Sequence, residues 1–140
     1  MDECPFCRII DRSLPAEVLY EDDAILCILD INPIHFGHTL IIPKRHCRDF
    51  LDLPDDVFHP LLKAAQAVSG ALVAEYGIEG FNIFSNNGRI AGQSVFHFHL
   101  HVTPRHPDDD IHFVLNLKHY DGSEMADLGS RLRARIGAIS

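Results

Sequence analysis

Gln93-Ser94-Val95-Phe96-His97-Phe98-His99-Leu100-His101-Val102 is the stretch on which the reading of this chain turns. Successive side chains of a β-strand point to opposite faces. A strand within residues 92–103 therefore puts Phe96, Phe98, Leu100 and Val102 on one face and His97, His99 and His101 on the other. The apolar face makes core. The other lines up three imidazoles, with neighbours roughly 6.5–7 Å apart at the rise of a strand. Three readings fit this pattern. One is a solvated face, although solubility does not require unbroken alternation. Another is a metal site, because His-x-His sets two ligands on one face. The third is nucleophilic and acid–base work by neutral imidazoles. Spacing alone leaves the last two open.

Upstream, residues 18–21 and 24–30 read as two strands around the turn Glu21-Asp22-Asp23. Asn32-Pro33 breaks the chain. Residues 38–43 then form a strand that Pro43 stops. Leu53-Pro54-Asp55-Asp56 is a helix start with acids in its first turn. Leu61, Ala64, Ala65, Val68, Leu72 and Val73 continue that helix at helical spacing to about Tyr76, where Gly77 ends it. Residues 81–85 are a strand closed by Asn86-Asn87-Gly88. After a polar loop at 107–110, residues 123–136 make an amphipathic helix capped by Ser123. Consecutive strands with a long helix among them indicate an α+β fold with a largely antiparallel sheet.

The chain has 140 residues, which suits a single domain over 1–140. Its formal net charge of -8 argues against a nucleic-acid or anionic-membrane partner, while a local pocket can still hold a small phosphorylated ligand. No apolar run reads as a bilayer span, and MDECPFCRII lacks the pattern of a secretory signal. Cys4, Cys7, Cys27 and Cys47 without an export signal indicate a reducing, cytoplasmic setting. There, Cys4-x-x-Cys7 reads as half a zinc site, a redox pair or two inert thiols. Ten histidines exceed what a core needs.

Four segments in order resemble the histidine-triad (HIT) family. They are Asp30-Ile31-Asn32-Pro33, the run from Gly37 to His46 (GHTLIIPKRH), Phe84-Ser85-Asn86-Asn87-Gly88, and Gly92-Gln93-Ser94-Val95 leading into His97-x-His99-x-His101. The resemblance covers about residues 4–105 and leaves a C-terminal extension. It implies a sheet of about five antiparallel strands, one long helix, a terminal helix and a homodimer. It also implies a nucleotide hydrolase or transferase in which His99 attacks an α-phosphate through a covalent nucleotidyl–histidine intermediate and releases a nucleoside monophosphate such as AMP. His101 and His38 would hydrogen-bond the phosphate, with His97 completing the triad. Gln93 and Ser94 would lie by the leaving group, Asp30 would hold the ribose hydroxyls, and Asn86 would contact ribose or phosphate. Phe6, Ile9, Ile10, Ile28 and Ile31 would line the pocket of a purine base, although each is equally a core residue by type.

Microbial members of that family imply one more feature: a zinc held by Cys4, Cys7, His46 and His97. Four such ligands leave no open position, so the metal would be structural and no cofactor would serve catalysis. Two leaving-group classes remain open, the phosphoramidates or adenylates and the dinucleoside polyphosphates. The absence of tryptophan and the segment Thr103-Pro104-Arg105 resemble the second class more than the first. A module that binds nucleotide without turnover is the alternative from another class.

Overall fold

The computed structural model describes residues 3–140. It divides the chain into two compact units, one ending at Asp110 and one spanning Ile111–Ser140. The first unit holds α1 (Pro5–Ile10), β1 (Val18–Glu21), β2 (Ile25–Leu29), β3 (Thr39–Pro43), α2 (Asp55–Tyr76), β4 (Gly80–Phe84) and β5 (Leu100–Arg105). The strands form one antiparallel sheet in the order β1-β2-β3-β5-β4.

Alternation along the strands gives the sheet two faces. Ile25, Cys27, Ile41, Phe98 and Val102 point to one side and pack with Val57, Leu61, Ala64, Ala65, Val68 and Leu72 of α2. Leu26, Ile28, Leu40 and Ile42 point to the other side, where Phe6 of α1 covers them. α2 has the length and hydropathy of a bilayer span. The expectation that no run reaches that threshold is corrected here. The buried stripe along α2 shows why the resemblance to a span arises: it is a core helix laid on a sheet. Gly77 ends it in the left-handed conformation, φ 61°, with its N–H on the Val73 carbonyl.

The decisive stretch is only partly a strand. β5 starts at Leu100, and Ile41↔Leu100 is its outermost pair with β3. Before that point the chain peels away, and the Phe98 N–H donates to the Cys47 carbonyl at 2.6 Å. His97 and His99 therefore precede the strand. Phe98 and Val102 reach the core as alternation requires, with Leu100 packed against it, but Phe96 lies outside under the guanidinium groups of Arg48 and Arg89. At its far end β5 runs through Pro104 to Arg105, close to the end near residue 103 read from the sequence. Pro104 pairs with Phe81 of β4 and lies beyond the last β3 pair, Thr39↔Val102, where no ladder partner needs its missing N–H.

The second unit contains α3 (Glu124–Ile136). Met125, Leu128, Leu132 and Ile136 form its apolar stripe. Ser123 occupies the cap position, but its hydroxyl donates to the Asp127 carboxylate and caps no backbone N–H, a correction to the expected cap.

Candidate active site and metal centre

His101 lies on β5 opposite Leu40 of β3 and Phe84 of β4. Directly opposed residues of an antiparallel pair share a face. Phe84 accordingly stacks on the His101 ring, with centroids 4.5 Å apart and planes 4° from parallel. On the other side His38, at the mouth of β3, places Nε2 2.9 Å from His101 Nδ1. His99 comes within 4.8 Å of His101, centroid to centroid, and meets the edge of Phe6 at 4.9 Å. Three histidines and two phenylalanines thus converge on the sheet face opposite α2.

Backbone contacts decide which nitrogen of each ring carries its proton. His99 Nδ1 lies 2.8 Å from the His97 carbonyl. A carbonyl only accepts, so Nδ1 donates, and in the neutral ring Nε2 keeps a free lone pair. His97 Nε2 donates likewise to the Pro43 carbonyl at 2.7 Å, which frees its Nδ1. Burial holds His99 and His38 below the ordinary imidazole range and pushes His101 and His97 down to about 4. These imidazoles are therefore neutral near pH 7 and nucleophilic or ligating where a lone pair is free.

The Nδ1 lone pair of His97 faces the Cys4 Sγ at 3.4 Å, the Cys7 Sγ at 3.5 Å and His46 Nδ1 at 3.1 Å, and Cys7 Sγ lies 3.3 Å from His46 Nδ1. A tetrahedral zinc with its usual ligand bonds sets sulfur–nitrogen edges at about 3.6 Å and nitrogen–nitrogen edges at about 3.3 Å. The four donors already stand close to that spacing. The Pro43 carbonyl supplies the outer hydrogen bond that ligating imidazoles characteristically make. Burial and the neighbouring Cys4 raise the Cys7 thiol to about 11, so a metal there would displace a tightly held proton. The residues fit a structural zinc.

The remaining expected residues divide. Asp30 is half-buried, with Oδ2 3.8 Å from His38 Nδ1 and Oδ1 accepting from the Asn32 N–H. Asn86 lies against Gly92, where a Cβ would meet its amide nitrogen at 3.5 Å, and Gly92 holds φ 98°. Ser94 is exposed. Gln93, expected beside a leaving group, has its polar atoms engaged within the protein. Its oxygen accepts from the Gly88 N–H, and its amide donates to the Arg48 and Val95 carbonyls, which makes it a buried strut between three loops. His38 departs from its expected contact with the phosphate. Both of its nitrogens are engaged inside the protein, so it touches His101 rather than a ligand. Phe6 stands at the site, with Ile9 and Ile10 packed beside it. Ile28 is core, and Ile31 is 86% exposed, too far out for a closed pocket in this conformation. Sequence reasoning missed Phe84, whose position opposite His101 follows from register alone, and the carbonyls of Pro43 and His97.

The model of the HIT domain matches residues 11–108. The chain belongs to the HIT family. Adenylylsulfatase HINT3 of Arabidopsis thaliana is 44% identical to this HIT chain over 77% of it and 55% of the relative. Adenosine 5'-monophosphoramidase hnt1 of Schizosaccharomyces pombe is 34% identical over 95% of this chain and 98% of its own. Among solved structures, a HIT family member from Bacillus subtilis superposes with a TM-score of 0.90 at 33% identity, covering 98% of this chain and 99% of that one.

Proposed function

We propose that this HIT protein is a nucleotide hydrolase or transferase in which His99 Nε2 attacks the α-phosphorus of a nucleotide. One observation carries the reading: the His97 carbonyl accepts the Nδ1–H hydrogen bond of a buried, neutral His99, leaving Nε2 with a free lone pair beside His101. A bond forms from Nε2 to phosphorus. The bond from phosphorus to the leaving group breaks, and that group departs with the electron pair and takes up a proton. Water then attacks phosphorus, the phosphorus–nitrogen bond breaks, and neutral His99 and a nucleoside monophosphate result. The positive charge on the ring of the intermediate is offset by the Nδ1–H bond to the carbonyl. His101 stabilises phosphoryl oxygens, and Asp30 accepts from ribose hydroxyls. The names of the plant and yeast relatives support an adenosine nucleotide. Cys4, Cys7, His46 and His97 would hold a structural zinc that fastens α1 to the sheet. Cysteines used as metal ligands and thiols rather than as disulfides suit a reducing, cytoplasmic setting.

The test is single-turnover reaction of wild type and His99→Ala with adenosine phosphoramidate and with a diadenosine polyphosphate, following AMP and an acid-labile protein-bound nucleotide. Turnover and adduct lost together in the variant support the reading, and the faster substrate names the leaving group. Full activity in the variant removes it. Tight binding without turnover by either protein puts the binding module in its place.

A further inference from the structure

His38 is 2% exposed, so whatever its ring does it does through the protein. The Ile34 backbone N–H points at its Nδ1 from 3.0 Å. An amide N–H can only donate, so Nδ1 must accept, and the neutral ring carries its proton on Nε2. Nε2 sits 2.9 Å from His101 Nδ1. That contact is then a donation to His101, which must accept at Nδ1 and carry its own proton on Nε2. One backbone amide thereby fixes two imidazoles in series. Asp30 alone would favour the opposite arrangement, because a proton on His38 Nδ1 would face the carboxylate. Its Oδ2 lies at 3.8 Å, beyond a hydrogen bond, while the amide is within one.

We propose that the Ile34 amide is the positioning group that makes His101 a hydrogen-bond donor toward the phosphate, acting through His38. This rests on the reading of His101 as a phosphate ligand. The reason for such a device is the sign of the interaction. With the proton on Nε2, His101 offers N–H to an anionic oxygen. In the opposite tautomer it would offer a lone pair, which repels one. The loop that carries the amide is itself anchored at both ends. The Asp30 N–H donates to the His38 carbonyl, Asp30 Oδ1 accepts from the Asn32 N–H, and the His38 N–H donates to the His35 carbonyl. The segment that presents the ribose carboxylate therefore also sets the polarity of the phosphate donor.

The experiment reads ring protonation directly. In the 15N-labelled full chain, long-range proton–nitrogen correlations about one pH unit above the free-imidazole value of about 6.5 distinguish the two tautomers. Protons on Nε2 of both His38 and His101 are expected, with a coupling across the hydrogen bond between the Ile34 amide nitrogen and His38 Nδ1. A proton on Nδ1 of either ring overturns the proposal. Ile34→Pro removes the N–H. It is expected to mix the tautomers of both rings and to lower kcat/KM about a hundredfold, the cost of one oriented donor. Ile34→Ala keeps the N–H and restores both ring signatures and rate. Wild-type tautomers in a folded Ile34→Pro overturn the proposal. If that variant does not fold, the ring signatures of the wild type decide alone. A wild type without nucleotide turnover would remove the reading of function and not the tautomers, which are measured without substrate.

Discussion

His101 is expected to leave a signature in stability as well as in catalysis. Burial first, then the neighbouring His99 and His38 rings, lower its pKa to about 4, whereas the unfolded chain titrates it near about 6.5. Between those values the unfolded state binds a proton that the folded state refuses, so stability rises with pH across the window. Acidification from about pH 6.5 toward about pH 4 therefore removes stability. Thermal melts over this range should show Tm falling with pH, and His101→Gln should fall less steeply than wild type. Parallel slopes would mean that His101 is not held neutral by its surroundings. His99 and His101 could be singled out in the sequence by the family resemblance of their segment, since residue type and spacing left a metal site equally open. The free nitrogen of each ring was not legible. For His97 it is set by the Pro43 carbonyl, 54 positions away, and for His38 by a single amide in an irregular loop. No local pattern encodes such contacts.

Strands, long helix and C-terminal helix were legible because each has a period and a punctuating residue, as Gly77 ends α2. Where the sequence misled was at the start of β5. Alternation continues through His97, yet the ladder stops at Leu100, because His97 turns its ring toward Cys4, Cys7 and His46. A cluster of cysteines and histidines distant in sequence overrides a local period. Metal analysis of the purified chain should give one zinc. Chelation or Cys7→Ser should lower Tm by freeing α1, and an unchanged Tm on metal removal would reject the clamp. The joint between α2 and β3 gives a second test. Gly37 holds φ 95°, and a Cβ there would stand 2.9 Å from Leu72 Cδ2 and 3.0 Å from Tyr76 Cε2. Gly37→Ala should cost about 1–3 kcal/mol in urea unfolding and lower kcat/KM as well, since the next residue is His38. An unchanged midpoint would show that α2 yields freely at this contact.

Among the described residues, the sheet of the first unit ends in β1 on one side and in β4 on the other. β4 is terminal in the strand order, and the side chains it turns toward the α2 layer, Phe81 and Ile83, are 40% and 46% exposed. They continue the apolar layer beyond the reach of the helix, alongside Leu62, Gly70 and Val73 of α2. An apolar edge strand invites pairing with another chain unless something blunts it. No lysine or arginine and no proline lies on β4, whose sequence is GFNIF. The homodimer that the family resemblance implies would pair along this edge, related by a two-fold axis so that each β4 meets the other. The net charge of -8 opposes such association, so apolar contact must outweigh a repulsion that salt reduces. Two measurements follow. Sedimentation should give twice the chain mass, with dissociation favoured at low ionic strength. Ile83→Lys should shift the population to single chains, since pairing would bury a charge beside its own symmetry mate. The Ile83 side chain points to the α2 face, whereas His101 and its stacked Phe84 lie on the other. Loss of the dimer with retained turnover would therefore mean that each chain carries a complete site. Loss of both, with the monomer still folded, would mean that the edge also holds the catalytic face in shape. A single-chain mass for the wild type at every concentration and salt would reject the interface.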